Sequence, residues 1–149
     1  MFSRRGALGN AGLVGLLGAV TVLAGCSSGD TSTLDAMAKC GKIHFASPPH
    51  VVADKSGALF GSGQTLWAVV DIPLDQLDAF RQQSGLGQFN AGVPLDIPGY
   101  FKDAGAVADV LKTDDGNVSV EDAHAIPARR VAVHTTGPAE RRVFISVLC

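Results

Sequence analysis

Apolar and polar positions alternate most regularly toward the end of the chain. Val131 and Val133 stand two apart, as do Val143, Ile145 and Val147, and Gly137, Pro138, Ala139 and Glu140 separate the two runs. A period of two on either side of a turn predicts a β-hairpin over residues 129–148, with these five side chains on one core face. Residues 66–70 form a continuous apolar run of strand length that includes Trp67. Residues 43–46 alternate briefly before Pro48 and Pro49 and predict a first strand. Residues 50–64 hold Gly57, Gly61 and Gly63 without a clear period. They read as a surface loop with room for a short strand at Val51 and Val52. Asp114, Asp115, Gly116 and Asn117 predict a turn, followed by a brief strand at Val118, Ser119 and Val120.

Helical spacing appears twice. Pro73 suits a first helical position, Asp75 and Asp78 lie near the positive end of the helix dipole, and Leu74, Leu77 and Phe80 share a face. Gly85 can adopt the left-handed conformation just past the end, with Leu86 folding back toward Phe80. A second helix opens at Ile97 and Pro98, and Tyr100, Phe101, Ala104, Val107, Ala108 and Leu111 fall on one stripe. Gly105 interrupts it at a cost of about 1 kcal/mol. The echo of Asp71-Ile72-Pro73 in Asp96-Ile97-Pro98 is not sustained in the flanks, so shared helix-start chemistry explains it better than duplication.

The order is strand, strand, helix, helix, then two or three strands. It predicts an α+β domain: a mainly antiparallel sheet carrying both helices on one face, with a C-terminal β-hairpin. The other face would then be bare. Phe144 and Leu148 would point from it, and His44 and His134 would join them if their strands adjoin. These four residues form the expected partner surface. The competing reading covers that face with loops and leaves both histidines solvated. Trp67 and Tyr100 are large enough to anchor an interface, although their spacing fits a core strand and a core helix better.

The start of the chain has a different character. Arg4 and Arg5 precede a stretch without charge that lasts until Asp30, and residues 13–23 are mostly apolar. Its length would suit a membrane-spanning helix. The many glycines and the small-residue exit favour a cleaved signal. Leu23-Ala24-Gly25-Cys26 has the form of a lipobox, the small-residue pattern that places a cysteine just after a signal-peptidase cut. With the basic start and apolar stretch before it, this segment resembles bacterial lipoprotein precursors. The richness in Ala, Gly, Val, Asp and Arg is similar to that of small actinobacterial lipoproteins. The likeness covers only about the first thirty residues and gives the remainder no family. The Ser/Thr/Gly/Asp-rich stretch that follows reads as a flexible tether over residues 26–38, with room for a helical turn at Leu34 to Ala38, leading to a single domain over residues 39–149. The likeness implies a signal peptide over residues 1–25 and a lipid on Cys26. It also implies attachment to the extracytoplasmic side of the cell membrane. Ser3-Arg4-Arg5-Gly6 is similar to a twin-arginine export signal, and the ordinary secretory route stays equally open.

With Cys26 set aside, Cys40 and Cys149 remain as a pair in an oxidising compartment, and a disulfide between them is the expectation. Two free thiols are the alternative. Without Arg4 and Arg5, 10 Lys+Arg stand against 14 Asp+Glu, a balance of −4. Such a mildly acidic domain has no footprint for nucleic acid.

Motifs for chemistry are scarce. Gly61-Ser62-Gly63-Gln64 lacks the lysine and the following helix of a phosphate loop, and it is not a nucleophile elbow. The 114–117 turn lacks the alternating oxygen ligands of a calcium loop. His44, His50, His124 and His134 form no closely spaced pair of zinc type. Most aspartates sit at helix starts and turns, where capping explains them. Neither catalytic residues nor a metal or cofactor is assigned. The expected function is a lipid-anchored, non-enzymatic envelope protein that binds another envelope protein or a small apolar ligand. The alternatives are a small exported hydrolase built from scattered Asp, His and Ser, and a phage-derived surface lipoprotein acting in infection exclusion.

Overall fold

The strand-forming segments line up as one antiparallel sheet in a computed structural model that describes residues 32–59 and 61–149. The expected signal sequence, Cys26 and the tether up to residue 31 lie outside the described residues. Six strands follow in chain order: β1 (His50–Ala58), β2 (Gln64–Pro73), β3 (Asn90–Ala91), β4 (Asn117–Asp122), β5 (Ala128–Thr135) and β6 (Glu140–Leu148). Their spatial order is β1-β2-β6-β5-β4-β3, so the last strand lies inside the sheet between β2 and β5. The C-terminal hairpin forms as its period-two pattern predicts, pairing Val131 with Ile145 and Val133 with Val143.

Helices cover both faces. On one side α1 (Thr33–Gly41) and α2 (Leu77–Gln83) pack over Leu66, Ala68, Val70, Val131, Val133, Val143, Ile145 and Val147. A one-turn 3-10 segment, Leu74–Gln76, leads into α2, and Phe45 stacks on Phe80 with ring centroids 5.0 Å apart. We call this the α1 face. Gly85 closes α2 as expected: its φ is 59°, its N–H donates to the Gln82 carbonyl and the Leu86 N–H reaches back to Arg81. This is the Schellman arrangement, and it buries Leu86 in the same core as Phe80.

On the opposite face, α3 (Ile97–Tyr100) and a 3-10 run, Lys102–Lys112, pack on Trp67, Val69, Ala132 and Phe144. Phe101 sits at the centre of this layer, edge-on to Phe144 at 5.4 Å and to Trp67 at 6.2 Å. The α+β class, the antiparallel sheet and the hairpin follow the sequence. The placement of both helices on one face does not, and this second layer corrects it. The expected apolar stripe from Tyr100 to Leu111 is present, but carried by tighter turns broken at Gly105. With φ 66° and ψ −143°, Gly105 holds a conformation that side-chain-bearing residues avoid. There the segment doubles back. Asp96 lies by Arg130 on β5, Asp103 by Lys55 on β1, and the Val110 and Thr113 carbonyls return to Asn117 on β4.

Three boundaries also differ. Residues 43–46 form no strand; at His44 the Ser84 hydroxyl instead accepts from the N–H at 2.9 Å and donates to the carbonyl at 3.2 Å. The expected loop after Pro49 instead holds the nine-residue β1, which a bulge at Val52 and its edge position disguise. Residues 33–38, read as tether, form most of α1, whose Met37 is fully buried.

Cys40 and Cys149 are joined, with Cα atoms 6.0 Å apart. The bond ties the end of α1 to the end of β6. It does not join a first strand to the last, since Cys40 is helical.

Candidate functional site

Side chains on the helix-covered α3 face fall into rows across the strands, and two rows are incompletely covered. Register places Gly57, Thr65, Leu148 and Ala128 in one row, and Lys55, Trp67, Ser146, Arg130 and Glu121 in the next. The broken helical segment crosses the second row and leaves a notch at its β1 end. Gly57, Thr65, Trp67, Lys55, Tyr100 and Asp103 line this notch, whose volume is about 340 Å3. Its walls are mainly carbon. Trp67 is only 7% exposed, and its accessible edge lines the notch. Gly57 leaves the side toward β1 open, since a Cβ there would meet nothing within 4 Å.

Charged groups frame this opening. Lys55 Nζ lies 2.6 Å from Asp103 Oδ2, bridging β1 to the 3-10 run. The hydrogen bond and charge of Lys55 hold the Asp103 carboxyl below its ordinary value. On the other side the Arg130 guanidinium stacks 4.4 Å from the Tyr100 ring centroid while contacting Glu121 and Asp96. These contacts fix Tyr100 where its ring forms a wall.

A polar row crosses the opposite end of the same face. It runs His50, Asp71, Arg142, His134, Asn117 from β1 to β4. Arg142 makes a bidentate contact with Asp71, at 2.8 and 2.9 Å, which raises the arginine further above its ordinary value. Asn117 donates through its amide nitrogen to the carbonyls of Val110 and Thr113, each at 2.7 Å. Its oxygen must then face His134 Nδ1, 2.9 Å away, so a neutral His134 carries its proton on Nδ1. Nε2 keeps its lone pair.

Burial, helped by the Arg142 charge, holds the His134 pKa below the ordinary 6.5. The unfolded chain therefore takes up a proton near pH 6.5 while the folded chain does so only at lower pH. This contribution to stability is complete above pH 6.5 and is lost as the pH falls through the window below it. Urea midpoints measured between pH 7.5 and about 5 should decline, and His134→Gln should flatten that decline. An unaltered slope in the variant would refute the assignment.

The four residues expected to share a partner surface do not meet. Phe144 is 0% exposed beneath Phe101, because the second helical layer covers it. Leu148 is 43% exposed and stands next to Thr65 in the row beside the notch. His44 lies toward the α1 face, in the strandless segment held by Ser84. His134 is half-buried in the polar row on the other face. Only Leu148 remains near the opening. Nothing local in the sequence marks Lys55, Gly57, Thr65 or Asp103, and the spacing of Trp67 and Tyr100 points chiefly to the core.

Among the described residues, no three His, Cys, Asp or Glu side chains gather as for a metal ion, and no helix is long and apolar enough to cross a membrane. The fold and its openings define a disulfide-closed α+β domain with a carbon-walled notch beside an edge strand. No protein-family model, curated protein or solved structure matches the chain.

Proposed function

We propose that this chain is an exported protein, anchored through a lipid on Cys26, whose domain binds an apolar group of an envelope partner in the Trp67–Tyr100 notch. The notch is the observation that carries the binding reading. It has aromatic walls, a glycine-lined mouth and an ion pair at its rim, the mixture of apolar surface and few polar groups common in recognition sites. The cysteine pair supports the export reading, since such bridges persist in oxidising compartments. The Leu23–Cys26 pattern supports the anchor.

Two measurements test the parts separately. Cells expressing the full chain should incorporate an alkyne fatty acid into the wild type and not into Cys26→Ala. Equal labelling of the two would end the anchor proposal. For the notch, Trp67 is the single tryptophan of the chain, so its emission reports on the site directly. Titration with 1-anilinonaphthalene-8-sulfonate should quench that emission saturably in the wild type and much less in Gly57→Val, whose added carbons would close the mouth. Equal quenching in both would show that the dye binds elsewhere and that the notch is not a site.

A further inference from the structure

The two edges of the sheet are unequal. β3 is two residues long, whereas β1 spans nine, most of them exposed, and pairs only with β2. The outward N–H and C=O groups of β1 therefore form a template for one more strand. Edge strands are usually guarded by a lysine, and β1 has one in Lys55. Here the ammonium is drawn onto Asp103, over the α3 face and away from the edge. The bulge at Val52 disturbs only the first part of the strand, leaving residues 53–58 in unbroken register.

The chemistry along that stretch selects the occupant. Gly57 faces the notch and has no side chain, so a strand laid beside β1 can place a large apolar group across it, toward Thr65 and Trp67. Asp54 points to the other face, is exposed, and makes no ion pair among the described residues. A lysine or arginine opposite it would gain a favourable cross-strand partner. A second copy of this chain fits poorly. β1 carries no aromatic residue to lie opposite Gly57, and because residues directly opposite share a face, Lys55 of a second copy, on the α3 face, cannot meet Asp54.

We propose that β1 receives an extended segment of a different protein, paired antiparallel, with an aromatic or large aliphatic residue opposite Gly57. Three positions later in that segment comes Lys or Arg, opposite Asp54. The odd spacing is required because Gly57 and Asp54 face opposite sides of the sheet. This deepens the notch reading above and rests on it: the apolar group becomes a side chain on an added strand.

The test uses the full chain and a fluorescein-labelled peptide, Thr-Val-Phe-Thr-Val-Lys-Val-Thr, followed by anisotropy. Saturable binding is expected. It should weaken at least tenfold in Gly57→Val or when the peptide Phe becomes Gly. Changing the peptide Lys to Glu should weaken binding about fivefold, a cross-strand charge effect of about 1 kcal/mol, and Asp54→Lys should reverse that preference. No binding, or binding indifferent to both the Gly57 and Asp54 substitutions, overturns the strand-addition proposal. If dye quenching of Trp67 persists while the peptide fails, the edge pairing is wrong and the notch stands. If both fail, the notch reading falls with it.

Discussion

Replacing Cys40 and Cys149 together by serine will lower the free energy of unfolding by about 4–5 kcal/mol while leaving the folded structure in place. The bond joins residues 109 apart in sequence and so restricts almost the whole unfolded domain. Loop-closure entropy grows with the logarithm of loop length, which puts this clasp near the upper end of what one disulfide contributes. The native contacts around it do not depend on the covalent link. Met37 and Ile43 are buried on the α1 face, the Cys149 N–H donates to the Gln64 carbonyl at 2.8 Å, and Arg129 reaches Gly41. Urea unfolding of the oxidised, reduced and doubly substituted proteins should therefore show native far-ultraviolet spectra and a large drop in midpoint. A loss below about 1 kcal/mol would mean that the unfolded chain is already compact enough to make the bond redundant.

Arg129→Met should cost about 3 kcal/mol. The Arg129 side chain lies on the α1 face at the start of β5 and is only 13% exposed. One of its nitrogens donates to the Ser84 carbonyl at 2.6 Å and to Gly41 at 3.4 Å; the other donates to Gly85 and to the Asp122 carboxylate. It thus ties the C-terminal end of α1, the closing turn of α2 and the end of β4 to β5. Helix ends leave carbonyls without intrahelical partners, and here one planar group satisfies carbonyls from two of them. Methionine preserves much of the packing but strands those oxygens and the carboxylate. Arg129→Lys should recover little, because a single ammonium cannot reach acceptors arranged around a fork. Wild-type stability in the lysine variant would show that charge alone accounts for the role.

The hairpin and the α2 cap were legible because their causes are local. Val131 to Val147 alternate along neighbouring strands, and Gly85 with Leu86 needs only the preceding turn. The two-sided helical cover also had a trace in the sequence. Residues 66–70 are apolar without interruption, as expected of a strand buried on both faces; a sheet with one bare face would have alternated there. Phe144, set between Val143 and Ile145, carries the same mark, since residues 143–147 are all buried. The helix count alone implies an exposed Phe144, and this run outweighs it. β1 was hidden for the opposite reason: as an edge strand it keeps exposed positions on both faces, and its bulge shifts the alternation midway. The notch had no local trace. Lys55 and Asp103 meet across 48 positions, and Gly57 matters only because of what Trp67 and Tyr100 build beside it.

The clasp also sets how the domain would carry mechanical load. A pull on the chain at Ser32 enters α1, and eight residues later it reaches Cys40 and crosses covalently into β6. β6 is an interior strand paired along its length with β2 and β5, and β2 in turn holds β1. Tension applied at residue 32 is therefore carried covalently as far as β6, which its pairings with β2 and β5 hold inside the sheet. With the bond reduced, the same pull first peels α1 away from the sheet. Oxidation converts the weakest joint in that path, a helix lying on a sheet, into its strongest.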